Sequence, residues 1–197
     1  MSDEYTTVSG PGEGKYTEKM SRFLSFAYHV GDAEEARARI AEVARRYHDA
    51  RHVCWAYMLG PERLNSMSND NGEPSGTAGK PILGQINSMG LTDVVVAVVR
   101  YFGGIKLGTS GLIVAYREAA RLALEAAPKE LRHVEVSMSF TFPYMSVNAV
   151  MKLIKQPGVI TDELLFDNAC RASVRIRRDD ADRLRSRLSD VDGLTFV

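Results

Sequence analysis

The sequence has few cysteines and no excess of either charge. Its two cysteines, Cys54 and Cys170, lie far apart within apolar segments, which excludes a disulfide framework and predicts two small buried side chains in a reduced protein. The 25 basic residues balance the 25 acidic ones, so a general attraction to nucleic acid or to a membrane surface is also excluded. Any binding of this kind must come from a local patch.

Long apolar runs are missing as well. The first twenty residues contain no apolar stretch of the signal-peptide kind, and no later run approaches the length that crosses a membrane. The composition, with 45% hydrophobic and 25% charged residues, is nevertheless typical of a globular protein with a large core. We therefore expect a cytoplasmic protein with no membrane partner and, at 197 residues, two domains.

Known catalytic and metal-binding motifs are absent too. The histidines have no metal-ligand spacing, and neither an H-E-x-x-H nor a C-x-x-C sequence is present. Gly103 and Gly108 have the spacing of a phosphate-binding P-loop, but Thr109 stands where that motif requires lysine. The glycines fit neither a dinucleotide-binding fingerprint nor a nucleophile elbow. The sequence thus predicts no catalytic residue, no bound metal and no cofactor.

A strand, a glycine loop and a helix are predicted between positions 93 and 126. The apolar run Val94–Val99 predicts a strand that is buried on both faces at the centre of a sheet. Four glycines follow, and apolar residues then recur at helical spacing, with Thr109 or Ser110 as the expected cap. The N–H groups at the start of this helix favour an anion, yet a tight turn with close packing explains the glycines equally well.

A second glycine loop precedes another helix. Positions 64–75 are polar and are expected to form a functional or a mobile loop. The segment from Gly76 to Gly79 then leads into a helix that Thr77 is expected to cap and that reaches about Met89. Because each glycine loop enters a helix, we expect the segments 70–79 and 103–111 to lie side by side and to bind an anion between them.

The chain before these loops predicts a strand, a helix and a strand. Turn residues at positions 10–12 predict a short hairpin or an irregular arm at the start. A period-two pattern over positions 21–30 predicts a strand whose buried face carries the even-numbered apolar side chains from Leu24 to Val30. Asp32 is expected to cap an amphipathic helix that reaches about His48, and positions 51–59 predict the next strand.

The pattern starts afresh after Pro128, which ends the long helix. Strands are predicted at 134–142, 159–166, 169–177 and 194–197, and helices at about 144–156 and 179–190, the second capped by Asp179 and Asp180. This βαββαβ order is ferredoxin-like. The sequence therefore predicts an α+β fold with domains 1–128 and 129–197, the first of which folds alone.

Two polar pairs near the loops leave more than one interpretation open. His52 and Cys54 share one face of a strand and could form a thiol and base pair, although packing within the sheet is favoured. Asp70 and Glu73 could hold a hard cation beside a phosphate, although turn formation is favoured. Neither pair amounts to a catalytic signature.

Positive charge flanks the central glycine loop. Arg100 and Lys106 suit contact with a phosphate or with the RNA backbone, but Arg100 could equally pair with one of the two loop carboxylates. The complete set of candidate anion- or RNA-binding residues is Asp70, Glu73, Ser75, Gly76, Thr77, Gly79, Lys80, Arg100, Gly103, Gly104, Lys106 and Gly108.

Two long segments carry a specific signature, DNGEPSGTAGKPIL at positions 70–83 and VVRYFGGIKLG at positions 98–108. They resemble the paired signature of the IMPACT family, also called YigZ-like or UPF0029 proteins. KMSRF at positions 19–23 resembles the family's K-x-S-R-F segment and HVC at 52–54 its H-x-C strand, so the resemblance covers about residues 15–127. Asn71 and Ser110 depart from the family's usual Asp and Gly, and the first departure weakens a metal site in the loop.

The resemblance implies an N-terminal domain like domain 2 of ribosomal protein S5. It also implies a C-terminal domain like the last, ferredoxin-like domain of elongation factor G. The eukaryotic relatives regulate translation by competing for an activator of a kinase, whereas the bacterial members have no agreed activity. A peptidase activity, with which some relatives are labelled, would need a metal cluster that these residues do not supply.

Two functional hypotheses follow. The first is a non-enzymatic cytosolic binding protein, linked to translation regulation, whose partner is RNA, the ribosome or a translation factor. The alternative is a small-molecule hydrolase or transferase that uses the paired glycine loops to bind a phosphate-bearing ligand. The neutral net charge weakens the first hypothesis, and the missing catalytic motifs weaken the second.

Overall fold

The computed structural model describes residues 3–167 and 169–197. The chain divides into two compact units, which are Tyr5–Arg132 and His133–Val197, the latter together with the N-terminal residues through Glu4. Within the described ranges no helix is long and apolar enough to span a membrane. The domain boundary expected after residue 128 stays a prediction about independent folding.

The larger unit is built around a five-stranded antiparallel sheet. Its elements are β1 (Glu4–Val8), β2 (Gly12–Glu18), β3 (Ser21–His29), α1 (Ala33–Arg46), β4 (His52–Leu59), β5 (Asn65–Asn69), α2 (Gly79–Ser88), β6 (Val94–Tyr101), α3 (Gly108–Ala126) and β7 (Lys129–His133). The sheet has the strand order β2-β3-β6-β4-β5, and β1 pairs with β7 in a separate two-stranded sheet.

β6 lies at the centre of the sheet, as predicted. Every residue of its apolar run is at most 1% exposed. On one face, Val96 and Val98 share a core with Ile82 of α2 and with residues of α3. On the other face, Val99 packs in a cluster with Val43 of α1. The run is β-branched except at Ala97, which suits a strand that packs against a helical layer on both faces.

Both faces of β3 are covered, and the face that was not predicted to be buried is covered more completely. Phe23 and Ala27 are fully buried in the core that contains α3, while Leu24 is only partly buried. Ser25 donates a hydrogen bond of 2.6 Å to the carbonyl oxygen of Ala119, which ties the strand to α3. The period-two pattern located the strand, but it could not rank two faces that both carry apolar residues.

Two strands lie where none was predicted. β5 occupies part of the expected loop 64–75 and pairs with β4, and β7 follows Pro128 and pairs with β1. No hairpin joins β1 to β2, because β2 pairs with β3 instead. The sequences of β5 and β7, NSMSN and KELRH, lack a period-two apolar pattern, so only their partner strands define them.

Helix capping follows the sequence at α1 and departs from it at α2 and α3. Asp32 accepts hydrogen bonds from two backbone N–H groups of the first turn, at 2.8 Å each, which confirms it as the cap of α1. The Thr77 hydroxyl instead donates to the carbonyl oxygen of Pro74 at 2.6 Å. Neither Thr109 nor Ser110 caps α3, because both lie inside its first turn. The N-terminus of α3 therefore has no side-chain cap.

The smaller unit has the predicted order of strand, helix, strand, strand, helix, strand. Its elements are β8 (Glu135–Phe142), a 3₁₀ helix (Tyr144–Ser146), α4 (Val147–Ile154), β9 (Val159–Leu165), β10 (Cys170–Arg177), α5 (Arg178–Ser189) and β11 (Thr195–Phe196). The sheet is antiparallel, in the order β11-β8-β10-β9, and forms one core with the two helices. Asp179 and Asp180 lie in the first turn of α5 rather than at its cap.

Candidate binding cleft

The loop between β5 and α2 is held by the Asp70 carboxylate. This carboxylate accepts hydrogen bonds from the N–H groups of Gly76 (2.8 Å), Ala78 (3.0 Å) and Gly79 (2.8 Å), so it takes the place of a helix cap from a distance in sequence. Partial burial acts to raise the pKa of Asp70, but these three hydrogen bonds and the charge of Lys80 lower it below its ordinary value.

The second acidic residue of this loop, Glu73, is paired with Arg100 of β6. One guanidinium nitrogen of Arg100 lies 2.7 and 2.9 Å from the two carboxylate oxygens, and only 9% of the Arg100 side chain and 3% of the Glu73 side chain are exposed. The choice that the sequence left open for Arg100 is thus resolved in favour of Glu73. The pair fixes the loop against the central strand.

Tyr116 and Cys54 extend this buried network. The Tyr116 hydroxyl donates a hydrogen bond of 2.7 Å to Glu73, and the Cys54 sulfur lies 3.3 Å from the same hydroxyl and 2.9 Å from the carbonyl oxygen of Asp70. Burial raises the pKa of the Cys54 thiol to about 12 and also raises the pKa of Tyr116 above its ordinary value. Both groups therefore favour their protonated forms at neutral pH.

His52 and Cys54 do not act on one another. His52 Nδ1 lies 2.8 Å from the carbonyl oxygen of Asn71, while the Cys54 thiol contacts Asp70 and Tyr116. The side chain of Asn71 also accepts a hydrogen bond of 2.8 Å from the N–H of Val53. His52 and Cys54 thus hold the loop against β4. The packing interpretation is therefore favoured over a thiol and base pair.

A cleft of about 680 Å³ opens beside this network. Its walls come from the start of β4, the end of β6, both glycine loops and the first turn of α3. The lining residues are Asp49, Arg51, His52, Glu73, Pro74, Arg100, Tyr101, Phe102, Lys106, Leu107, Gly108, Thr109 and Leu112. Residues of the segments 70–79 and 103–111 therefore line the same cleft.

The charges in the cleft are not all neutralised. Glu73 is paired with Arg100, and Asp49 accepts a hydrogen bond of 2.7 Å from the Tyr101 hydroxyl. Arg51 and Lys106 are exposed and form no ion pair within the part of the chain that the structure describes. The first turn of α3 also has neither a side-chain cap nor an acidic residue. Among the described residues, two unpaired basic side chains thus face one unpaired carboxylate, that of Asp49, and the net positive charge beside a helix N-terminus favours an anion.

The predicted site residues separate into two groups. Four of them line the cleft: Glu73, Arg100, Lys106 and Gly108. The others serve the loops or face solvent away from the cleft lining, and these are Asp70, Ser75, Gly76, Thr77, Gly79, Lys80, Gly103 and Gly104.

Two of the loop glycines are required by close backbone contacts. A Cβ on Gly79 would lie 2.7 Å from the backbone nitrogen of Asn69, and one on Gly103 would lie 2.1 Å from the carbonyl carbon of Met20. Gly76 and Gly104 have φ values of +79° and +91°, a conformation that favours glycine. These glycines shape the loops, so the turn-and-packing interpretation accounts for them.

Sequence reasoning did not single out Arg51, Phe102 or Tyr116 as site residues. Phe102 carried a usable signal, because an aromatic residue between a buried strand and a glycine pair lies where the chain leaves the core. Tyr116 carried none, since it fits the apolar stripe of α3 and its hydroxyl contact depends on the tertiary fold. Among the described residues, no cluster of histidine, cysteine, aspartate or glutamate could hold a metal ion.

The fold and the cleft define a protein of two α+β units in which the larger unit, as far as the structure describes it, carries a cleft with two unpaired basic side chains. The Impact N-terminal domain model matches residues 19–124, more than half of the chain. Accordingly, this chain belongs to the IMPACT family, as its loop signatures indicated.

Individual relatives extend this match over most of the chain. A Thermus thermophilus protein, the IMPACT family member in the pol 5' region, is 40% identical over 156 residues, which cover 79% of this chain and 84% of that protein. The IMPACT family member YigZ of Escherichia coli is 35% identical over 140 residues, 70% of this chain and 69% of YigZ. A crystal structure of a hypothetical protein matches 100% of this chain and 98% of its own with a TM-score of 0.80 at 27% identity.

Proposed function

We propose that this chain is a non-enzymatic binding protein that acts in translation and contacts RNA, either free or within the ribosome, through the cleft of the larger unit. The link to translation comes from the family, since the resemblance implies that eukaryotic members regulate that process. The single observation that carries the proposal is the unpaired positive charge of Arg51 and Lys106 beside the uncapped N-terminus of α3. Phosphate is the group that such a site favours.

The buried network argues for binding rather than catalysis. Glu73 and Arg100 neutralise each other, and the raised pKa of Cys54, about 12, keeps that thiol protonated. The Cys54 thiol is thus not activated by His52, which contacts the carbonyl oxygen of Asn71 instead.

A small-molecule hydrolase or transferase is the second candidate function. The volume of the cleft, about 680 Å³, favours it, because this lies within the range of small-molecule sites. Catalysis would need a reactive group from the ligand or from a partner, because Glu73, Arg100 and Cys54 are engaged in contacts within the protein.

We also infer the finer fold assignments. The strand order β11-β8-β10-β9 with two helices supports a ferredoxin-like smaller domain, like the last domain of elongation factor G. An S5 domain 2-like larger domain is proposed from the family resemblance. We propose a cytoplasmic location, in keeping with partners that take part in translation.

The test is the salt dependence of binding to RNA and to ribosomes. Lys106→Glu should weaken binding across unrelated RNA sequences and flatten the plot of log affinity against log salt by roughly one unit. Lys15→Glu is the matched control, because Lys15 is exposed on β2 and does not line the cleft. Wild-type protein that shows no salt-dependent binding, or a Lys106→Glu variant that binds as well as wild type, would count against the proposal and favour the enzyme.

A further inference from the structure

An aromatic ring lies open at the end of the most buried strand. Phe102 follows β6 directly, lines the cleft and is 58% exposed. The residues of β6 from Val94 to Arg100 are buried and Tyr101 is partly buried, so the exposure rises at the end of the strand. A large exposed apolar side chain in a concave site marks a contact surface for a ligand.

The Phe102 ring is positioned by a contact with Arg100. The Arg100 guanidinium lies 5.7 Å from the centre of the Phe102 ring and 5.7 Å from that of Phe23. Arg100 is itself held by its ion pair with Glu73, so the guanidinium group that contacts the Phe102 ring has a defined position. The neighbouring Tyr101 ring is oriented by its hydrogen bond to Asp49. Two aromatic rings thus line the cleft, and each is positioned by a contact within the protein.

The same cleft presents the charge that a nucleotide chain needs. Lys106 and the first residues of α3 line it together with Phe102. The cleft therefore combines an aromatic ring with an ammonium group and the backbone N–H groups of a helix N-terminus. A base and its phosphate require this combination of stacking and charge.

We propose that the cleft binds single-stranded RNA, with a base stacked on Phe102 and a phosphate at Lys106 and the N-terminus of α3. This inference rests on the proposed function for the choice of RNA, and adds the strand state and the base contact. A duplex keeps its bases stacked on one another, so a ring in a cleft of about 680 Å³ can reach a base only in a single strand.

The residues that line the cleft also predict a weak preference for RNA sequence. No asparagine or glutamine lines the described cleft, and its two carboxylates are engaged with Arg100 and with the Tyr101 hydroxyl. Base edges are therefore not read by amide hydrogen bonds. Stacking accepts every base, so the site should show only a weak sequence preference.

The experiment measures fluorescence anisotropy of the full chain with a labelled single-stranded RNA and with the same strand annealed to its complement. Phe102→Ala should lose single-strand affinity by roughly tenfold or more, and Phe102→Tyr should retain it. Phe166→Ala is the matched control, because Phe166 is 54% exposed and belongs to the smaller unit. The duplex should compete weakly with the single strand.

Each outcome separates the two proposals. If RNA binds with salt dependence but Phe102→Ala is unchanged, or the duplex competes equally, the stacking inference is overturned and the proposed function stands. If Phe102→Ala loses ribosome binding yet binds free RNA normally, the ring contacts a protein and the inference is overturned. If neither RNA nor ribosomes bind at all, both proposals fail together.

Discussion

Arg100 donates two hydrogen bonds from one guanidinium nitrogen to Glu73, at 2.7 and 2.9 Å, and both side chains are more than nine-tenths buried. The arginine that the sequence offered as a phosphate contact is thus already neutralised within the protein. Tyr116 of α3 donates a hydrogen bond to the same carboxylate. The Glu73 side chain therefore connects its loop to both β6 and α3. The pair holds the loop that borders the cleft, and the unpaired positive charges among the described cleft residues are those of Arg51 and Lys106.

Breaking this pair on one side should be costly. Glu73→Gln is expected to destabilise the protein by about 3–5 kcal/mol, because it leaves the Arg100 charge buried without a counterion. The double variant Glu73→Leu with Arg100→Met should recover most of this loss. Urea denaturation of Glu73→Leu alone, Arg100→Met alone and the double variant measures the coupling.

An exposed ion pair provides the comparison. Glu42→Gln removes the partner of Arg39 on α1, where about half of each side chain is exposed, and should cost less than about 1 kcal/mol. Equal losses for Glu42→Gln and Glu73→Gln would show that burial of the Arg100 pair carries no energetic consequence.

The Asp70 clamp predicts a pH dependence. Its pKa is lowered in the folded protein, so its contribution to stability is present above the ordinary value of 3.8 and is lost as the pH falls through the lower folded value. Asp70→Asn should therefore destabilise the protein at pH 7 and reduce the fall in stability below about pH 4. Thermal melts across this range measure both effects, and parallel curves for the two proteins would contradict the clamp.

The central strand and the order of elements could be predicted because they depend on local patterns. The β-branched run of β6 has to be buried, and Asp32 caps α1 within its own helix. Tertiary contacts decided the rest. β5 and β7 are strands only because β4 and β1 pair with them, and no pattern within those short polar segments indicates this.

The candidate site was predicted in part for the same reason. The glycine loops were recognised, since glycine marks unusual backbone conformations, and residues of both loops line one cleft. The sequence could not predict which basic side chains of the cleft lack an ion-pair partner. Arg100 pairs with Glu73, which lies far from it in the sequence. Tyr116, a core residue by its pattern, acquires a polar partner only through the fold.

Cys54 is expected to be unreactive in the folded protein. Burial raises the pKa of its thiol to about 12, and the side chain is fully buried, so the thiolate is scarce and shielded at neutral pH. Cys170 is also fully buried. Titration with a thiol reagent at pH 8 should therefore show reaction only as denaturant unfolds the chain. Fast modification of Cys54 before unfolding would contradict this expectation and would support Cys54 as a reactive thiol.

The larger unit should fold without the smaller one. A fragment of residues 1–128 retains the five-stranded sheet and helices α1, α2 and α3, and a fragment that ends at Arg132 adds most of β7 as the partner of β1. We expect both to be folded by circular dichroism and the longer one to resist more urea. An unfolded 1–128 fragment beside a folded full chain would contradict two independent domains.

Gly103 should tolerate no side chain, because the loop after β6 presses on the turn between β2 and β3. A Cβ there would lie 2.1 Å from the carbonyl carbon of Met20, a backbone atom that no rotamer change can move. Gly103→Ala should therefore cost roughly 1–3 kcal/mol, as overpacking does, and should shift the adjacent Phe102.

Gly84 is the matched control, since it lies within α2 and a Cβ there would meet nothing within 4 Å. Gly84→Ala should stabilise the protein by about 0.5–1 kcal/mol, because alanine loses less backbone entropy in a helix. Urea denaturation of both variants gives the two changes in free energy of unfolding. A Gly103→Ala variant as stable as wild type would mean that the loop moves freely, and the rigid position argued for Phe102 would lose its basis.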